Sequence, residues 1–371
     1  MDPQARFCHN PDCSARGQCG LGNIRVHSQK ERRYRCTTCG RTFAETRDTP
    51  LYRLKRTADL VTIVLTLLCH GCPLQAIVAA FGLDERTVAD WRDRAGRHAQ
   101  RFHEHRVLRG QVELGHVQAD ELYVKAVGRR LWMAMAMAVP SRLWLGGEVS
   151  ARRDLTLILT VVGMVRRAAK GLEFLACVDG LASYVTAFTR VFRDPERSGK
   201  RGRPRLKAIP GLLLGQVIKH HRGRRLVDVT RRVVLGTVEA ITAVLSATGT
   251  GTGINTSYIE RLNATFRASM CPLVRRGRAI ARGEGVLTGW MYLAGCAYNF
   301  CWEHDSLRVA APAGGGLKWR ARTPAMAAGL TDHRWTMREL LGQPIPLPPW
   351  VAPKRRGRPP RRSLTSVPVT T

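Results

Sequence analysis

Apolar and polar positions change period several times along the chain, and each change marks an element. After Thr57, a Thr at N-cap position, the run ADLVTIVLTLLC predicts a helix closed by Gly71. A second short helix fits PLQAIVAAF, with Pro73 at its start. Gly82-Leu83-Asp84 then predicts a turn before a longer, polar helix, ERTVADWRDRAGRHAQRF. Short helix, glycine-containing turn and longer helix make a helix-turn-helix pattern; a plain helical bundle is the other reading. From HVQADELYVKAV the period shortens to that of a half-buried strand. RLWMAMAMAV is apolar on both alternating faces, which predicts a strand covered on both sides. RLWLGGEVS predicts a third strand, residues 153–169 a helix, LEFLACVDG a short buried strand and SYVTAFTRVF a helix. LLLGQVIKHH and LVDVTRRVV read as two further strands.

The order β-β-β-α-β-α-β-α predicts an RNase H-like α/β domain, a mixed sheet flanked by helices. The chain therefore reads as multidomain. Residues 1–55 form a Cys-rich basic region and 56–110 a helix-turn-helix domain. Residues 111–303 form the α/β domain with a basic insertion near 194–210, and 304–371 a Pro-, Gly- and Arg-rich C-terminal segment.

Composition sharpens the picture. Sixty Lys and Arg against 28 Asp and Glu give the 371 residues a formal charge of +32. Such a surface binds polyanions by counterion release, so double-stranded DNA is the expected partner. Arg86 and Arg92, on the longer polar helix, are the expected contacts there. The first residues lack an apolar signal region, and no apolar stretch reaches the length of a membrane span. These features predict a soluble cytoplasmic, nucleoid-associated protein with no membrane partner and no small-molecule cofactor. Eleven Cys are present, five of them in the first 39 residues. In a reducing compartment that clustering favours metal over disulfides. Cys8, Cys13, Cys36 and Cys39 form two close pairs that suit tetrahedral Zn²⁺ in a structural zinc ribbon, with Cys19 a possible substitute for Cys13.

Three acids stand out. Asp120 lies inside the first long strand, Asp179 closes a buried strand before Gly180, and Glu260 sits on an amphipathic helix, NTSYIERLNATFRASM. An acid in an apolar strand is costly unless paired or metal-bound. Phosphodiester chemistry with two Mg²⁺ (or Mn²⁺) ions requires such converging carboxylates. Glu121 competes with Asp120, but alternation sends it to the opposite face, and Asp120 shares its face with Gln118. Asn263 and Arg267 share the Glu260 helix face and are candidate DNA contacts.

QADELYVK, CVDGLASY and NTSYIERLNATFR resemble the three catalytic blocks of DDE insertion-sequence transposases, and CHNPDC with YRCTTCGRTF resembles the zinc ribbon of the insertion-sequence-one type. The likeness spans roughly residues 6–340. It implies that Asp120, Asp179 and Glu260 bind Mg²⁺, that the protein binds terminal inverted repeats, and that water nicks a strand whose freed 3′-OH attacks target DNA. Pairing two DNA ends further implies at least a homodimer. The spacings are 59 residues from Asp120 to Asp179 and a long 81 to Glu260. Two Gly-Arg-Pro segments, around Arg203 and around Arg356 and Arg358, resemble AT-hooks suited to a narrow minor groove. A ribbon, a reading helix and a basic tail would also suffice for a DNA-binding regulator without chemistry.

Overall fold

The computed structural model describes residues 2–196, 205–223, 225–274, 279–311, 318–348 and 350–352. The chain divides into two units: Met1–Glu45 with the chain from Pro346 onward, and Thr46–Ile345.

The first unit is built on three short strands, β1 (Ile24–Ser28), β2 (Arg33–Cys36) and β3 (Thr42–Ala44), paired antiparallel in that order. Its interior is small: Ala15, Ile24, Tyr34 and Phe43 beside the cysteines. So little apolar area cannot offset the entropy of ordering the segment without a further tie.

The second unit begins with α1 (Ala58–Cys69), α2 (Leu74–Phe81) and α3 (Glu85–Arg106). Their boundaries follow local chemistry. The Thr57 hydroxyl accepts from the Leu60 N–H, and Asp84 accepts from Arg86 and Thr87. Gly82 closes α2 at φ +60°, a conformation that favours glycine. Next come β4 (His116–Ala126), β5 (Arg129–Ala138), β6 (Leu143–Ser150), α4 (Leu155–Ala168), β7 (Phe174–Asp179) and α5 (Ala182–Val191). The short pair β8 (Arg193–Glu196) and β9 (Arg205–Ala208) flanks the basic insertion. The chain continues with β10 (Leu212–Arg222), β11 (Arg225–Leu235), α6 (Val238–Thr248), α7 (Ser257–Ser269) and α8 (Glu284–Phe300). Two short helices, α9 (Pro324–Ala327) and α10 (Met337–Gly342), follow.

Six strands form one mixed sheet in the order β6-β5-β4-β7-β10-β11. β4, β5 and β6 are antiparallel neighbours, β7 lies parallel to both β4 and β10, and β11 returns antiparallel to β10. Met133–Ala138 of β5 is buried throughout, as expected of a strand covered on both sides. Helices flank the sheet, which matches the mixed α/β class read from the pattern.

Two boundaries differ from the sequence expectation. Residues 56–110 are not a separate compact unit, because α1–α3 share one core with the sheet. α3 meets α8 so closely that a Cβ on Gly96 would lie 2.6 Å from the Gly289 carbonyl. His103 of α3 is buried with Nε2 3.0 Å from the Leu145 carbonyl of β6. Residues 325–345 also contribute to this core: Trp335, Leu340 and Leu341 are buried, with Trp335 packed 5.0 Å from Phe300 and 5.4 Å from Phe102. Among the described residues no helix is long and apolar enough to cross a membrane.

A candidate metal centre at the end of β7

In the first unit the Sγ atoms of Cys8, Cys13, Cys36 and Cys39 lie within 4.8 Å of one another. Cys8 and Cys39 are 3.6 Å apart, and Cys13 and Cys36 3.9 Å. Four thiolates at about 2.3 Å from a tetrahedral Zn²⁺ have S···S edges of about 3.8 Å, so the donor set and spacing fit that ion. The Asn10 N–H donates to Cys8 Sγ and the Asn23 amide to Cys36 Sγ, contacts that orient thiolate ligands. Burial pushes the Cys39 thiol up, but hydrogen bonds from Arg41, Asn10, Cys8 and Cys13 together bring it down to about 7. Cys19 is exposed and outside the cluster, which removes it as a substitute ligand.

The second centre is built by three strands. In-register pairing ends at Ala119 opposite Val178, so Asp120 and Asp179 are the next residues on adjacent parallel strands. β7 stops at Asp179, while β4 and β10 run on. Acidic oxygens of Asp120, Glu121 and Asp179 lie within 4.8 Å of one another. The order of partners follows strand alternation. Asp120 faces α7, where the Asn263 amide donates to its Oδ2 at 2.7 Å, while the Glu121 N–H donates to its Oδ1 at 2.8 Å. Glu121 faces α5 with its side chain 1% exposed; the Tyr184 hydroxyl donates to its Oε2 at 2.8 Å, and Arg153 pairs with Oε1. The same Arg153 guanidinium reaches Asp179 Oδ2 at 3.4 Å.

Gln118 positions α7. Its Oε1 accepts the N–H groups of Tyr258 and Ile259, both at 3.0 Å, and its Nε2 donates to the Asn255 carbonyl. Thr256 at the helix N-cap makes no such bond, so a buried side chain on β4 caps the helix instead. Gln118 and Asp120, two apart on one face of β4, thus hold α7 at both ends of the Ile259–Asn263 turn. Glu260 lies within that turn, 47% exposed. Its carboxylate pairs with Lys219 of β10 and accepts from Thr256 at 3.0 Å. Burial, then the Glu121 carboxylate, push Asp120 up to about 7 against the pull of the Glu121 N–H, with Asp179 and Glu260 adding repulsion. Burial and then Asp179 raise Glu121 as well, against Tyr184 and Arg153. A pocket of crowded carboxylates with raised affinity for protons is short of positive charge, which a divalent cation supplies.

The sequence-based site therefore appears with changes. Asp120 and Asp179 come together; Glu121, expected on the far face, joins them through its carboxylate; Glu260 is one helical turn from the Asp120 contact and is held by Lys219. Asn263, expected to touch DNA, is buried on Asp120. Arg92, expected on the DNA-reading face, is 7% exposed, 2.8 Å from Asp93 and over the Trp290 ring at 5.3 Å, so it is a packing residue between α3 and α8. Arg86 is exposed at the start of α3, and Arg267 is half-buried on α7. Arg203, Arg356 and Arg358 lie outside the described residues. Sequence reasoning missed Arg153, Tyr184 and Lys219, whose partners lie 32, 63 and 41 residues away. Their one local signal was charge or hydroxyl next to apolar strand and helix ends.

No family model matches the chain, and no curated protein matches it significantly.

Proposed function

We propose that the chain is a DDE-type DNA transposase whose Thr46–Ile345 unit is an RNase H-like catalytic fold. The observation that supports this most is the placement of Asp120 and Asp179 at the same level of adjacent parallel strands, with α7 held over them by Gln118 and Asn263. The strand order β6-β5-β4-β7-β10-β11 agrees with it. Asp120, Asp179 and Glu260 would hold the divalent ions. Such a pair of ions supplies an activated attacking oxygen and a stabilised leaving oxygen on a phosphodiester.

The residues around them have definable work. Asn263 fixes one Asp120 oxygen and leaves its carboxylate aimed across the end of β7. Arg153 joins Glu121 to Asp179, so the Asp179 rotamer is set from the α4 side. Lys219 pairs with the Glu260 carboxylate and sets its direction. The net charge of +32 draws DNA to the molecule, with Arg86 a candidate backbone contact and the Gly-Arg-Pro segments candidate minor-groove contacts. The cysteine cluster is a structural Zn²⁺ site within this reading, and pairing two DNA ends calls for at least two copies of the chain.

The test is strand transfer. Labelled DNA carrying the sequence that flanks the reading frame, incubated with protein and Mg²⁺, is expected to give nicked and joined products. Asp120→Asn, Asp179→Asn and Glu260→Gln are each expected to lower the rate by at least about a thousandfold while DNA affinity changes by less than about threefold. DNA binding without cleavage by the unaltered protein would support a non-enzymatic regulator instead.

A further inference from the structure

We infer that the outer face of the β4–β5 hairpin is a stacking platform for an unpaired stretch of DNA strand beside the acidic centre. Beyond the end of β7 these two strands continue as a ladder with one covered and one open face. Leu122, Val124, Leu131 and Met133 form the covered face and are buried. Alternation puts Tyr123 and Lys125 on the other face, opposite Trp132 and Arg130 in register. Lys125 and Arg130 are exposed, Trp132 is half-buried, and Tyr123 is 43% exposed.

The two rings meet edge to face at 5.7 Å. A guanidinium sits by each: Arg130 lies 5.9 Å from the Tyr123 centroid and Arg153 5.1 Å from that of Trp132. Accessible aromatic rings with guanidinium groups beside them suit the stacking of a nucleobase. A nucleobase stacks on the ring face, and the phosphate that follows it meets Arg or Lys. In duplex DNA the base faces are already stacked on one another, so the platform selects unpaired bases.

The charge around it agrees. On the strands of this face, Glu121 is buried and paired with Arg153, and Glu148, opposite Ala134, is half-buried. Arg153 also fixes the platform's relation to chemistry, because it contacts Trp132, Glu121 and Asp179 together. A base stacked on Tyr123 or Trp132 would belong to a nucleotide close to the one whose phosphate is at the acids. The location of the cut strand rests on the transposase reading; the binding of unpaired DNA does not.

The experiment is fluorescence anisotropy on the full chain without divalent ions, at about 0.3 M salt so that long-range attraction is screened. The probes are a labelled oligothymidine and a duplex of the same length. Tyr123→Ala is expected to weaken oligothymidine binding about tenfold or more and duplex binding less than about twofold. Tyr123→Phe, which keeps the ring, is expected to bind as the unaltered protein does. A 5-bromouracil oligonucleotide is expected to photocrosslink within the β4–β5 hairpin. Unchanged oligothymidine affinity in a folded Tyr123→Ala protein, equal losses for both probes, or a crosslink confined to other segments would each overturn the platform. If Asp120→Asn abolishes cleavage but Tyr123→Ala leaves binding intact, the platform alone falls. Single-strand binding as expected without any metal-dependent cleavage would remove the enzyme reading and leave the platform.

Discussion

Asp120 and Glu121 are neighbours in sequence with opposite partners, and the difference between them is set by one peptide unit. Asp120 points toward α7 and Glu121 toward α5, yet their oxygens converge with those of Asp179 because β7 ends between them. Alternation favoured Asp120 over its competitor Glu121, since period two predicts direction but not how far a longer side chain reaches round a strand end. A pH dependence follows. The folded-state affinity of Asp120 for its proton lies above its ordinary value, near 7 against 3.8, so between those values the folded state binds more protons than the unfolded one. Stability without added divalent ion should therefore fall as pH rises through that window, by up to a few kcal/mol. Three buried histidines act in the opposite direction. Burial pushes His98 and His103 down to about 4 and His116 down to about 3. Their contribution is present above pH ~6.5 and lost as pH falls toward those values. Thermal melts of the unaltered protein and Asp120→Asn from pH 5 to 8 separate the two. The stability gained by Asp120→Asn should grow with pH, and added Mg²⁺ should stabilise the unaltered protein more at pH 8 than at pH 5. A difference between the two proteins that is flat with pH would remove Asp120 as a strained acid.

At the scale of elements, most strands and the first three helices were legible because each has a clean period and a chemical stop. β4, β5, β7 and β10 were read from apolar alternation or continuous burial, and α1–α3 from Thr57, Gly82 and Asp84. Four helices were not, two of them the one- to two-turn α9 and α10. α8, EGVLTGWMYLAGCAYNF, is buried on nearly every side, so it carries no amphipathic stripe to detect. α6 is short, with only Ile241 and Leu245 buried, and resembles a loop in pattern. The fit of α3 on α8 was likewise invisible, since Gly96 and Gly289 give no sign alone that they face each other. Gly96→Val should cost ~3 kcal/mol or more, because its side chain would overlap Gly289 backbone rather than a movable side chain. Denaturant unfolding measures this, and a loss below ~1 kcal/mol would mean that the helices separate easily. The capping of α7 by Gln118 has its own consequence. Gln118→Ala leaves two helix N–H groups without an acceptor and should destabilise by ~2 kcal/mol, with a larger loss of cleavage rate than of DNA affinity. Equal losses in both would place its role in folding alone.

Over the whole molecule, the two units draw stability from different sources. The sheet unit has a large continuous core, whereas Met1–Glu45 has a handful of apolar side chains around four cysteines. Metal removal or Cys36→Ser should unfold the small unit and leave the main thermal transition of the large one in place. Limited proteolysis checks this: cuts confined to the first 45 residues are expected, and an intact N-terminal unit after chelation would argue against a bound ion there. The two compact units do not follow the domain bounds expected from sequence where cores are shared. Polar, Arg-rich α3 resembled a free-standing reading helix, but one of its faces is buried on α8 and β6. The segment after residue 304 was read only by its Pro, Gly and Arg content, and the few large side chains that anchor it, Trp335, Leu340 and Leu341, gave no periodic signal. Within the larger unit the carboxylates of Asp120 and Glu121 on β4 and Asp179 on β7 cluster, and Glu260 on α7 stands beside them, paired with Lys219. Electron paramagnetic resonance of Mn²⁺ titrated into the zinc-loaded protein counts the ions held there. Two ions per chain are expected in the presence of DNA, with binding reduced at least tenfold by Asp120→Asn or Asp179→Asn. Mn²⁺ uptake that neither substitution alters would contradict a metal centre at these acids.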